Sequence, residues 1–253
     1  MSMTLKTSNP VFSRDVMTGS GLRAGYSDAM TISGTINKAG LLMMLVALTA
    51  VWTWNRFFES NNDPASIGGL MMIGVFGGLI FSLVTVFKKE WSAITAPAYA
   101  LLEGLVLGGV SAMIELRFPG IAIQAVALTF GTCFCLLLAY RSGLIRPTQK
   151  FMIGIVAATG GIMLVYVASM ILGLFHVQIP GIFGSGPVGI LFSLVVVVVA
   201  ALNLILDFNF IEVGAANGLP KYMEWYGAFG LMVTLIWLYL EMIRLLSKLR
   251  DRR

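Results

Sequence analysis

The sequence predicts an all-α integral membrane protein, a bundle of seven transmembrane helices. Three observations carry this. Hydrophobic residues make up 58% of the chain and only 11% are charged, against about 45–50% and about 25% in soluble domains. Mean hydropathy is +0.88. The apolar residues also gather into runs near the ~20 residues that a helix needs to cross a bilayer.

These runs fall at 39–57, 67–87, 93–115, 121–140, 150–175, 187–211 and 226–247. The last carries Glu241 and Arg244 inside it. Between them stand NRFFESNNDPAS, FKKEWS, LRFPG, RSGLIRPTQ, HVQIPGIFGSG and EVGAANGLPKYMEW, whose Gly, Pro and Asn stop helices. Ahead of the first run, the polar residues contain no apolar stretch of the signal-peptide kind. Residues 1–37 are therefore expected to form a flexible cytoplasmic tail, 38–248 the membrane domain and 249–253 a short basic tail.

The 17 Lys+Arg against 12 Asp+Glu give a formal charge of +5. In a membrane chain this excess speaks of topology and contact with the lipid bilayer. No basic stripe interleaved with aromatics occurs, so nucleic acid is not an expected partner. With the N-terminus inside, the inner segments hold Lys6, Arg14, Arg23, Lys38, Lys88, Lys89, Arg141, Arg146, Lys150 and Lys221, while the outer loops hold only Arg56 and Arg117. The bias orients the N-terminus to the cytoplasm. The C-terminus disagrees, because seven full crossings put RLLSKLRDRR and its five basic residues outside. Either the seventh helix crosses against the rule, or the last segment is re-entrant and the tail returns inside.

Small residues recur at four-residue spacing, Gly74 with Gly78 and Gly104 with Gly108, which lets helix backbones approach closely in a membrane. The ionisable residues say more. Glu103 lies ten residues into the third run, Asp207 near the inner end of the sixth, and Glu241 within the seventh. Each costs about 2.5–3.5 kcal/mol at a helix centre, so each should face the bundle interior or a wet cavity. Three acids against one intramembrane base, Arg244, cannot all be paired as ions. At least one should hold or share a proton, which makes the set a candidate proton-linked switch or cation site. Arg244 follows Glu241 by three residues, the spacing of a local ion pair; snorkelling toward the interface is its other expected role.

Several tempting motifs lack the context they need. Cys133 and Cys135 are two residues apart, about 200° around a helix, so they suit neither a disulfide nor a paired metal site. GSGPVG at 184–189 matches a dinucleotide fingerprint, with Asp207 18 residues beyond its last glycine. No strand is expected before it, Pro187 stands within it, and a membrane span follows. Pro187 instead suits a helix start. His176, the single histidine, lies at an outer loop edge without acidic partners for a metal. Asp207 and Glu241 superficially suit an intramembrane aspartyl protease, but the Gly-x-Gly-Asp signature is absent and Leu-Asp-Phe stands at the sixth span. Neither an enzyme nor a cofactor is expected.

AYALLEGLVLGGVSAMIE, LILDFNFIEVGAANG and EWYGAFGLMVTLIWLYLEMIRLLSKL together resemble the Bax inhibitor-1 family, and within it the bacterial YccA-like branch. The resemblance covers about residues 30–250, and its long C-terminal motif is fairly specific. It implies a bundle of seven helices with the last one central. It also implies a bacterial inner-membrane protein and a pH-sensitive calcium leak through two acids on the last two helices. By position these are Asp207 and Glu241. Here the second acid is Glu rather than Asp, and 241 − 207 = 34 residues separate them, which looks longer than in members with the pair.

Geometry bears on whether the two can meet. Asp207 lies about 7–8 Å inside Glu212, while Glu241 lies about 24 Å up a helix starting at Trp225, or about 16 Å up one starting near Gly230. Neither figure brings the carboxylates level. Glu224, at the mouth of the loop, is the rival partner by depth. The resulting expectation is a proton-regulated cation leak with Asp207 as gate, Glu241 as partner or deeper site, Glu103 lining the cavity and Arg244 as counter-charge. The alternative is a non-transporting regulator that binds a membrane-bound AAA protease, as the YccA-like branch implies, with the polar N-terminal segment serving it.

Overall fold

The protein is described from a computed structural model over residues 29–145, 147–175 and 181–252. His176, Arg146 and the residues Lys6, Arg14 and Arg23 used for orientation lie outside that range. Seven long helices follow one another: α1 Ile32–Glu59, α2 Ala65–Phe87, α3 Ser92–Arg117, α4 Ile121–Arg141, α5 Gln149–Leu174, α6 Pro187–Ala216 and α7 Met223–Asp251. A 3-10 turn, Lys89–Trp91, leads into α3. All seven are long and apolar enough to span a bilayer.

Local chemistry sets the ends. Thr31 caps α1, its hydroxyl accepting from the Gly34 N–H at 3.0 Å, and Thr148 caps α5 through the Phe151 N–H at 3.3 Å. Both satisfy N–H groups that a helix start leaves free. Pro187 opens α6 at its first turn, where a missing N–H costs nothing. Where α3 gives way to α4, the Glu115 carboxylate accepts from the backbone N–H of Gly120 and, at 3.0 Å, of Ala122.

Helix α7 is the centre of the bundle. It packs along α1, α3, α4 and α6, while α2 lies outside on α3 and α5 outside on α6. Its buried residues Met232, Leu235 and Leu238 join two core clusters, one with α1 and α3, the other with α4 and α6. The glycines at four-residue spacing do what their spacing suggests. A Cβ on Gly104 would overlap Thr49 and the Val46 carbonyl, and one on Gly108 would overlap Ala50, so α1 and α3 pack backbone to backbone.

The two faces of the bundle are fixed by contacts between its ends. On the near face, the Met30 N–H donates to the Leu219 carbonyl at 2.6 Å, and Ser92 donates to the Tyr222 carbonyl at 3.0 Å. On the far face, Arg117 pairs with Asp251 at 2.7 Å, and Arg250 donates to the Pro119 carbonyl at 2.6 Å. Seven helices alternate between these faces, so Ala29 and Arg252 end on opposite sides. α7 is one unbroken helix of 29 residues; the re-entrant alternative for the last segment does not occur. Helix ends also differ from the sequence reading, and α7 continues to Asp251, through most of the expected 249–253 tail. α1 begins six residues before 38, drawn back by the Thr31 cap, and α6 runs five residues past 211.

Candidate functional site: the intramembrane carboxylates

The acids separate into distinct environments. Glu224, in the first turn of α7, is completely buried yet fully partnered. Its Oε1 accepts from the Thr31 N–H at 2.9 Å and the Thr31 hydroxyl at 2.8 Å. Lys221 approaches the same carboxylate at 3.0 Å, and Lys38 of α1 pairs with its other oxygen. The Lys38 ammonium also lies 5.4 Å from the Trp225 ring centroid, a cation–π distance. Gly34 makes the room, since any Cβ there would fall on the Glu224 carboxylate. The cluster ties residues 29–38 to the start of α7.

Asp207 is held differently. It projects from α6 toward α7, where a Cβ on Gly230 would sit 3.8 Å from its Oδ1. The neighbouring Thr234 hydroxyl donates to the Gly230 carbonyl at 3.2 Å. The Asp207 Oδ2 is buried and has no hydrogen-bond partner. An unpartnered polar atom in a native interior asks for an explanation, such as a proton or an ion.

Glu241 is 1% exposed and sits about 16 Å further along α7 than Gly230. Its Oε1 accepts from Arg244 at 2.6 Å and from the Tyr166 hydroxyl of α5 at 2.9 Å. Arg244 also donates to Tyr166 at 2.7 Å. The local ion pair forms, and the Arg244 side chain keeps 40% of its surface exposed. The second Glu241 oxygen is buried and unpartnered, like the Asp207 Oδ2. One turn beyond Arg244, the 6% exposed Lys248 is caged by neutral oxygens. It donates to the Ile182 carbonyl at 3.1 Å, the Gly189 carbonyl at 3.0 Å and the Ser193 hydroxyl at 2.8 Å.

Asp207 therefore meets neither of its two candidate partners. Gly230, its neighbour on α7, is six residues from Glu224 and eleven from Glu241, about 9 Å and about 16 Å along the axis. Starting α7 at Met223 raises Glu241 well above the level of Asp207. Extending α6 to Ala216 moves Asp207 the same way, deeper from the near face, but by too little to bring the two together. Glu103 stands apart again, its Oε2 facing Gly78 of α2 beside the Tyr99 ring.

Two cavities flank α7. One, of about 830 Å³ on the near face, is lined by Tyr140, Arg141 and Glu212 at its rim and by Cys133, Phe208 and Leu231 further in. Tyr140 donates to Glu212 at that rim. The other, of about 530 Å³, lies in the far half between α1, α3, α4 and α7. Glu103 lines neither of these two. No group of three or more metal-ligating side chains occurs among the described residues.

Sequence reasoning missed Tyr166, Lys248, Lys38 and Gly230. Lys248 was open to discovery, since it falls on the face of α7 that carries Glu241 and Arg244, seven and four residues on. Tyr166, the one tyrosine of α5, was also visible in the sequence as a phenol in an apolar run. Lys38 and Gly230 gain their meaning only from contacts across the bundle.

A helical bundle that crosses the bilayer seven times around its own last helix, with carboxylates on that helix and its neighbour, defines a class of multi-pass membrane protein. The chain belongs to the Bax inhibitor 1 like family, whose model matches residues 9–251. No curated protein and no solved structure matches it.

Proposed function

We propose that the protein is a pH-sensitive leak pathway for calcium or a similar cation, without enzymatic activity, gated by intramembrane carboxylates. One observation carries the reading: the Asp207 Oδ2 is buried and unpartnered, one residue before Phe208, which lines a cavity that also reaches Glu212, although Asp207 itself does not line it. A carboxylate placed there is stabilised by a proton or by a cation, and exchanging one for the other couples permeation to pH. Glu241 forms a separate station nearer the far face rather than half of a pair, with Arg244 and Tyr166 holding one of its oxygens.

The setting is a bacterial cytoplasmic membrane with the N-terminus inside. Lys38, Lys88, Lys89, Arg141, Lys150 and Lys221 all belong to the near face, which supports that orientation. The basic C-terminal turn on the other side is largely bound to protein oxygens, through Lys248, Arg250 and the Arg117–Asp251 pair.

The test is calcium flux into proteoliposomes as a function of external pH. Asp207→Asn is expected to abolish the pH response; flux indistinguishable from the unaltered protein at every pH would remove Asp207 as gate. A second reading, a non-transporting regulator that binds a membrane-bound AAA protease, draws on the anchoring of residues 29–31 to the α6–α7 loop. That anchor fixes Ala29 and Met30 at the near face. Deleting residues 1–28 should leave flux intact under the leak reading, while a loss of protease co-purification with flux unchanged would favour the regulator.

A further inference from the structure

The far-half cavity has no part in the carboxylate chemistry, and its walls are of another kind. Val46, Ala50, Leu107, Val126, Leu235 and Ile236 line it. Its polar side chains are few. Ser111 and Tyr239 hydrogen-bond to each other at 2.6 Å, so neither asks for water, and Asn55 lies near the end of α1. An apolar cavity of this sort stays dry. It is also continuous with the lipid-facing surface, because α1 and α4 do not pack against each other along it. Val51 and Ile123 belong to both, 58% and 68% exposed. The opening is therefore lateral, into hydrocarbon.

We propose that this cleft between α1 and α4 is a binding site for one acyl chain of a phospholipid from the far leaflet. A laterally open cleft with apolar walls is met by the hydrocarbon chains that surround the bundle. Position favours a chain of the far leaflet. Trp54 and Asn55 at the end of α1, and Ala122 at the start of α4, mark the headgroup end, and the cleft deepens from there toward mid-membrane. The chain lies against Leu235, Ile236 and Tyr239, so lipid touches the central helix directly, without passing the outer helices. This inference is independent of the leak reading.

Photolabelling tests it. The full-length protein is reconstituted in phosphatidylethanolamine–phosphatidylglycerol vesicles containing a phosphatidylethanolamine with a diazirine on its acyl chain, and adducts are mapped by mass spectrometry. Leu107, Leu235 and Ile236 are 4–6% exposed, and the cleft is the route by which bulk lipid reaches them. Adducts are expected there as well as on outer residues such as Phe76 of α2 and Val156 of α5. Ala47→Trp and Val126→Trp each fill the cleft from its rim and should cut the α7 adducts at least fivefold while leaving those at Phe76 and Val156 unchanged. Adducts confined to outer residues in the unaltered protein would overturn the proposal, as would α7 adducts that survive both tryptophans.

Discussion

Two carboxylates on the same helix, Glu224 and Glu241, face opposite ends of the bundle and are treated in opposite ways. Glu224 is wrapped by two lysines, a backbone N–H and a hydroxyl. Glu241 has one arginine and one tyrosine on a single oxygen, and its other oxygen has none. Asp207 sits between them in depth and shares the unpartnered state. A carboxylate with all its acceptor positions filled is a structural tie, with nothing left to offer a proton or an ion. One with a buried free oxygen is costly as it stands and has chemistry available. The lesson is that intramembrane acids are told apart by what they lack as much as by what they touch.

That contrast can be broken most sharply at Glu224. Glu224→Ala strands the Lys38 ammonium and the Thr31 N–H, and breaking a buried ion pair costs about 3–5 kcal/mol. The lower figure is expected, because Lys38 keeps some solvent contact. Thermal unfolding in detergent would show it as a clear drop in midpoint; an unchanged midpoint would make Glu224 dispensable and erase the comparison. Gly34→Ala attacks the same tie from the other side, forcing a methyl into the carboxylate, with about 1–3 kcal/mol lost to overpacking.

Smaller effects sharpen the other half. Tyr166→Phe removes one hydrogen bond to Glu241 and one acceptor from Arg244, for about 1–2 kcal/mol, read in the same melt. Asp207→Asn, by contrast, should move the midpoint by less than about 1 kcal/mol, since Oδ2 has no bond to lose. A large loss there would recast Asp207 as a second structural tie. Last, Asp207→Asn and Glu241→Gln should be additive in stability within about 0.5 kcal/mol, because sites beyond about 7–10 Å seldom couple. A larger interaction energy would mean that the two acids do meet.

The architecture was legible because the bilayer imposes it. Runs of ~20 apolar residues leave a helix as the simplest way to satisfy the backbone, and Gly104 and Gly108 announced close packing in their spacing. The ends were less legible. α1 starts at Ile32 because Thr31 is engaged both as a cap and as a donor to Glu224, 193 residues away, and no local pattern encodes the second half of that. The acids were legible as a set and illegible as pairs. Composition says that three acids cannot share Arg244, but depth depends on where α6 stops and α7 starts. A shift of five residues in one helix end moves a carboxylate by about 7–8 Å, enough to change its partner. The spacing of Lys248 placed it on the face of Glu241 and Arg244, but the neutral oxygens that cage it come from another part of the chain and only the fold brings them there.

The last turn of α7 carries a practical consequence. Lys248 holds the chain at Ile182 and Gly189, Asp251 accepts from Ser185 at 2.7 Å, and Arg250 reaches Gln124 at 3.0 Å. The final residues thus close the α5–α6 and α3–α4 connections from below, like a clasp at the end of a strap. An affinity tag or reporter fused directly after Arg253 pulls on that clasp, and a truncation before Lys248 opens it. Fusions meant to leave the protein undisturbed belong at the other end of the chain, ahead of Ala29.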